Sequence, residues 1–254
     1  MLVQLTAAVL ASLPHAIVIN LDERLDRRAG IEAQLASAGW PSSHIHRLAA
    51  TPHTHGALGC ALSHTRALDL AISSGWGDWS VILEDDIRWR RPLRVAPALQ
   101  EALAWAGAHN GSVILLSGIK RSVEQDAPAP TGAPALLRAA VNYQTTAAYA
   151  VHTSYLPTLR AAHARAAEAL QALGEAADAE HSIDISWKPL QERDGWLRLH
   201  PLLADQAAGY SDIERAERDY QGLYGGWEEA RERAQRGESP VLVVYDPPAR
   251  GERM

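Results

Sequence analysis

The sequence predicts an α/β protein, a central sheet with helices on both faces. Two observations carry this expectation. Short apolar runs alternate with stretches whose apolar residues recur at helical spacing, through about residue 116. Three of the runs, at 16–20, 79–83 and 112–116, are almost continuously apolar, as strands covered on both faces are.

The elements follow in order. Residues 16–20 read as the first strand, and 25–38 as a helix with Ile31 and Leu35 on one face and a stop at Gly39. Residues 45–49 are a second strand, and 58–72 a helix ended by Gly75. The clearest buried strand, 79–83, runs straight into an acidic cluster. A helix over 93–105 and a strand over 112–116 come next. Pro, Ala and Gly crowd 126–134, which reads as a mobile surface loop. Residues 136–141 and 145–152 are expected to pair as a hairpin around Asn142 and Tyr143. An Ala-rich helix spans 155–173, with Pro157 tolerated in its first turn. A short helix over 183–190 has Ser182 as its cap. A strand at 196–200, a charged surface helix at 211–236 broken near 222–226, and an apolar segment at 241–245 complete the chain. We expect one domain over 14–246. Residues 1–13, an apolar stretch without the positive start of a signal peptide, and a frayed 247–254 would be terminal extensions.

Composition narrows the function classes. The 254 residues are 47% hydrophobic, enough for one sizeable core. The formal charge of −6 argues against a nucleic-acid partner, which would call for a basic face. Cys60 stands alone, so no disulfide forms within the chain and a reducing compartment fits. No apolar run reaches the roughly 18 residues a membrane span needs. Trp occurs eight times and Phe not at all, so Trp carries the aromatic packing; sugar stacking is its other use.

Three features carry chemistry. Glu84, Asp85 and Asp86 follow the third strand, and ligands of α/β sheets collect beyond strand carboxyl ends. Three adjacent carboxylates repel unless a cation, Arg or hydrogen bonds compensate. Glu84 and Asp86 lie two apart and can share a face. An all-oxygen donor set suits Mg²⁺ or Mn²⁺. The same residues read equally as a solvated strand end or an acidic helix start. The second feature is the run from Asn20 to Arg28, with Asp22, Arg24 and Arg27. Arg at a strand end suits phosphate, and Asn20 and Asp22 suit ribose hydroxyls. Taken alone, it is a charged helix start. The third is Gly-Ala-Leu-Gly-Cys-Ala-Leu-Ser-His from Gly56, where small residues allow close packing or ligand approach. Ser63 and His64 would touch a nucleotide or sugar; alone, His64 reads as structural.

In this order, Asn-Leu-Asp-x-Arg-x-Asp-Arg-Arg from Asn20, Gly-x-x-Gly-Cys-x-x-Ser-His from Gly56 and Val-Ile-Leu-Glu-Asp-Asp from Val81 resemble glycosyltransferase family 25, the lipopolysaccharide and collagen galactosyltransferase-like enzymes. The stretch from Thr145 to His152 resembles the family's Thr-x-Ala-Tyr segment, and Ile183-Asp184 its Val-Asp motif. Gln206 and Ser211-Asp212-Ile213 resemble its Gln and Ser-Asp-Ile ending. The likeness covers about 16–214. It implies a GT-A-like nucleotide-sugar fold with a central mixed sheet flanked by helices, and inverting transfer of a hexose from a UDP-sugar. Asp86 would ligate the metal, with Glu84 in its shell or near the ribose. Glu in the first position departs from the family's Asp-x-Asp type. Asn20, Asp22, Arg24, Arg27, Ser63, His64, Glu84, Asp85 and Ser211 would bind the donor. The partners implied are a UDP-sugar and a glycan or glycolipid acceptor. A cytoplasmic protein is expected; no strongly basic amphipathic helix supports attachment to the inner membrane face.

Inversion needs a group to accept the acceptor's proton. Asp184 is the first candidate, beside Trp187 as a sugar-stacking residue; its other reading is a helix N-terminal residue. Asp212 is the second, or else caps the charged helix. His200 is either a late metal ligand or structural. His44, His46, His53 and His55 lack a structural zinc spacing and read as a solvated loop. Two rivals remain: a metal-dependent phosphoester hydrolase, and a non-catalytic nucleotide-sugar-binding module.

Overall fold

The computed structural model describes residues 13–120, 128–213 and 215–219. It contains strands β1 (His15–Asn20), β2 (Ile45–Ala49), β3 (Trp79–Glu84), β4 (Ile87–Trp89), β5 (Val113–Leu115), β6 (Ile119–Lys120), β7 (Leu137–Ala139), β8 (Tyr143–Gln144), β9 (Ala148–His152), β10 (Leu197–Leu199), β11 (Ala204–Gln206), β12 (Gly209–Ser211) and β13 (Ala216–Arg218). Its helices are α1 (Leu25–Ser37), α2 (Gly56–Ser74), α3 (Pro92–Ala108), α4 (Leu156–Leu173) and the short α5 (Asp178–His181), α6 (Ile183–Ser186) and α7 (Lys188–Arg193).

Seven strands form the central sheet in the order β2-β1-β3-β9-β5-β10-β7. β1 runs parallel to β2 and β3, and β9 runs antiparallel to both β3 and β5, so the sheet is mixed. The α/β class and the central mixed sheet flanked by helices are as expected. Alternate residues of one strand feed opposite cores, as the two-residue period requires. Ala16, Val18, Val81 and Leu83 pack with Ile31 and Leu35 of α1 and Leu99 of α3. Ile17, Ile19 and Ile82 pack on the other face with Leu68 of α2 and Leu159 of α4. Strands covered on both sides in this way explain the continuous apolar runs. Helix α2 ends as the sequence indicates, at Gly75 in the left-handed region with φ 62°.

Several expectations are corrected. Residues 136–141 and 145–152 do not form a hairpin. β7 pairs with β10, whereas β9 inserts between β3 and β5. Asn142 is in the left-handed region, so the turn signal is real, but its flanking strands go to different neighbours. The helix expected over 183–190 is two short helices, α6 and α7, and Ser182 makes no side-chain cap hydrogen bond. Ser211 does not start a helix: β12 pairs antiparallel with β13 in a hairpin. The rest of that helix, the 241–245 segment and residues 1–12 lie outside the described residues, as do residues 126 and 127 of the loop. Leu13 belongs to the core rather than to an extension, since it is 1% exposed. Trp187 is fully buried and donates its indole N–H to the Tyr143 carbonyl, so it cannot stack on a sugar. No described helix is long and apolar enough to cross a membrane.

Candidate functional site

β1, β2 and β3 are parallel, so their carboxyl ends open on one side of the sheet. A cavity of about 580 Å³ lies there, and its lining includes Ile19, Thr51 and Glu84 from the three strand ends. Further walls come from Arg27 of α1, the start of α2, the Thr145–Thr146 corner before β9, α5 and α6, the end of β11, and the β12–β13 hairpin.

Close approach explains two glycines of α2. A Cβ at Gly56 would sit 2.6 Å from the Ile213 Cα, and one at Gly59 would sit 2.9 Å from the Thr51 carbonyl oxygen. The small residues at the start of α2 therefore admit other backbone segments, and the hairpin closes directly over the helix start.

The three carboxylates have separate duties. Asp85 points into protein: Asn20 donates to it at 2.7 Å and Arg27 at 3.1 Å. Glu84 Oε1 accepts from Thr146 at 2.6 Å and lies 3.2 Å from His64 Nε2. Its Oε2 lies 3.5 Å from the Gln206 amide nitrogen, which is also 3.4 and 3.5 Å from the two Asp86 oxygens. Arg27 reaches Asp86 at 3.3 Å and donates to the Tyr210 carbonyl at 2.5 Å. Arg27 thus ties the acidic cluster to the hairpin.

The electrostatics follow. Burial raises the Glu84 carboxyl, but hydrogen bonds from His64 and Thr146 outweigh it and hold the group below its ordinary value. Burial, with Glu84 and Asp85 adding to it, pushes Asp86 up to about 7. Burial also raises Asp85, against Asn20 and Arg27. Burial pushes the Cys60 thiol well up, with Glu84 and Asp184 adding to it. The cluster holds more negative charge than Arg27 neutralises. A divalent cation fits this deficit: carboxylate oxygens of Glu84 and Asp86 converge on one amide and offer hard oxygen donors.

Arg27, Ser63, His64, Glu84, Asp85, Asp86, Asp184, Ser211 and Asp212 line the cavity. Asn20, Asp22 and Arg24 do not. Asn20 is 1% exposed; besides Asp85 it bonds the Arg24 carbonyl, and it accepts from Arg47. Asp22 is exposed and pairs with Arg47. Arg24 pairs with Asp26, and at 2.5 Å with Asp212, which latches the hairpin to the start of α1. Ser63 is turned inward: it donates to the Gly59 carbonyl and accepts from the Thr51 N–H. Asp184 accepts the Thr145 N–H at 3.1 Å. That Thr145 has φ 72°, a costly left-handed backbone for a β-branched residue and a form of strain that clusters at functional sites. Asp212, as Arg24's partner beside a hairpin, caps no helix.

His200 is not in the lining and sits 3.3 Å from Arg198. Of the four other histidines, only His53 lies exposed in an irregular loop, as expected; His44, His46 and His55 are packed. His44 and His46 stack on His15, and His46 stacks on Trp76. His55 is buried against Asp178 at 2.6 Å. Sequence reasoning missed Thr145 and Thr146 as individual contacts, and Arg47. Gln206 was visible only through its place in the family-like ending.

No protein-family model matches the chain, and no curated protein does. Among solved structures, the chain is similar to a glycosyltransferase involved in the glycosylation of the major capsid of PBCV-1, at 10% identity over 80% of this chain and 97% of that one, with a TM-score of 0.40. It is also similar to the mannose-1-phosphate geranyltransferase from Thermus thermophilus, at 15% identity over 73% of each chain, with a TM-score of 0.40. Likeness at this level says nothing of activity, and the functional reading rests on the site.

Proposed function

We propose that the chain is an inverting GT-A-type glycosyltransferase of the family 25 kind. It moves a hexose, galactose or glucose, from a UDP-sugar to a hydroxyl of a glycan or glycolipid. The setting is bacterial surface polysaccharide or lipopolysaccharide synthesis, in the cytoplasm or at the inner membrane face. One observation carries the reading: a nucleotide-sized cavity beyond three parallel strand ends holds an acidic cluster with too little positive charge of its own.

Asp86 and Glu84 are the residues that would hold Mn²⁺ or Mg²⁺. When bound, the ion neutralises charge developing on the leaving diphosphate. Arg27 adds a fixed cation beside the same carboxylates and anchors the hairpin over the donor. Asp184 accepts the proton of the attacking hydroxyl, its orientation set by the Thr145 N–H. Asp212 serves as hairpin latch rather than base, because its carboxylate is committed to Arg24.

The test is a screen of UDP-sugars for Mn²⁺-dependent release of UDP, with and without glycan acceptors. UDP release that depends on metal supports the reading. Phosphate release from simple esters would replace it with a hydrolase, and tight UDP binding without transfer to any acceptor would leave a binding module.

A further inference from the structure

Cys60 and His64 are four apart on α2 and so share one face of the helix. That face meets Glu84 at the end of β3. The thiol sulfur, an imidazole nitrogen and a carboxylate oxygen of these residues all lie within 4.8 Å of one another. We infer that Cys60, His64 and Glu84 form a binding site for a thiophilic divalent cation of the zinc class. This goes beyond the transferase reading and does not rest on it.

The donor chemistry separates this site from the oxygen-only pair of Glu84 and Asp86. Sulfur and imidazole select zinc-like ions, whereas magnesium and manganese favour oxygen. Ligands at tetrahedral zinc stand roughly 3.3–3.8 Å apart, from bond lengths of about 2.0–2.3 Å. The three donors reach that spacing with shifts of about an ångström. Glu84 has one oxygen for each neighbourhood: Oε1 faces His64, and Oε2 faces the Gln206 amide it shares with Asp86.

His64 is oriented as a ligand would be. It is 1% exposed, and its Nδ1 lies 3.1 Å from the buried Tyr149 hydroxyl. Metal-bound histidines commonly have the second nitrogen held by such an outer partner. In the ligated form Nδ1 carries the proton and donates it to the Tyr149 oxygen, leaving the Nε2 lone pair for the cation. All three residues line the cavity, so the fourth position faces it, as in open zinc sites.

Cobalt(II) is a direct probe on the full chain after chelator treatment. Wild type should develop a thiolate-to-cobalt charge-transfer band in the near ultraviolet that Zn²⁺ displaces. Cys60→Ser should lose the band with an unchanged far-ultraviolet circular dichroism spectrum. Glu84→Gln should weaken zinc displacement by more than about 10-fold, the low end of what losing even an outer partner costs. Asp86→Asn should keep the band whatever happens to sugar transfer, which separates this site from the donor site. No band in wild type, or a band that persists in Cys60→Ser, would each overturn the inference.

Discussion

At residue scale, His163 shows how the core and the site meet. It is fully buried on α4, its ring 6.0 Å from that of His64 and 6.3 Å from Trp187, and neither nitrogen has a hydrogen-bond partner among the described residues. Burial, with His64 adding to it, keeps its pKa well below the ordinary 6.5. Folding therefore requires the neutral ring. The unfolded chain binds the proton more readily, so stability falls as pH drops below about 6.5, by up to about 1.4 kcal/mol per unit. Urea unfolding at pH 7.5 and 5.5 should show this loss, and His163→Gln should reduce it; an equal loss in the variant would place the effect elsewhere. Asp184→Asn makes a second prediction. The amide oxygen can still accept from Thr145, so donor KM should stay within about 2-fold while kcat drops by about 10²–10⁴. Loss of cooperative unfolding instead would mean that Asp184 is structural. At this scale the sequence drew attention to Glu84, Asp85 and Asp86, which line the cavity, but read alone they served equally as a solvated strand end, because short acidic runs are common. The burial of Trp187 was not legible, since nothing local distinguishes a stacking Trp from a buried one.

The elements show where local signals suffice and where they fail. β1, β2, β3 and helices α1 to α4 are marked by apolar runs, helical spacing and Gly stops, and the structure agrees within a few residues. The failures are pairings. Asn142 is a true turn residue, but β9 pairs over five residues with β3 and on its other edge with β5, while β7 goes to β10. The charge-rich chain after Ser211 resembles a helix, yet Arg24 takes Asp212, Arg27 takes the Tyr210 carbonyl, and Gly56 admits Ile213, which together hold the hairpin. Gly56→Ala tests this latch. Its methyl would meet backbone at 2.6 Å, which cannot yield like a side chain. The expected cost is about 1–3 kcal/mol, felt first in the hairpin. Hydrogen exchange should quicken across 209–218 and donor KM should rise; unchanged exchange there would contradict the latch.

Over the whole molecule, the site is assembled from segments scattered between residues 19 and 218. Sheet order decides which of them meet, and order is not written in any local pattern. The parallel trio β2-β1-β3 gathers three carboxyl ends, and β9, antiparallel beside them, delivers Thr145 and Thr146 to the same end. The family resemblance anticipated this gathering because it read the motifs as a set. It did not anticipate that Asn20, Asp22 and Arg24 would serve as supports behind the cavity. The proposed function stands on the Glu84–Asp86 cluster being a cation-dependent donor site. The decisive measurement is UDP release from a UDP-sugar against Mn²⁺ concentration in Asp86→Ala. Metal-dependent release should be abolished while the thermal unfolding midpoint does not fall; full activity in the variant would rule the donor site out.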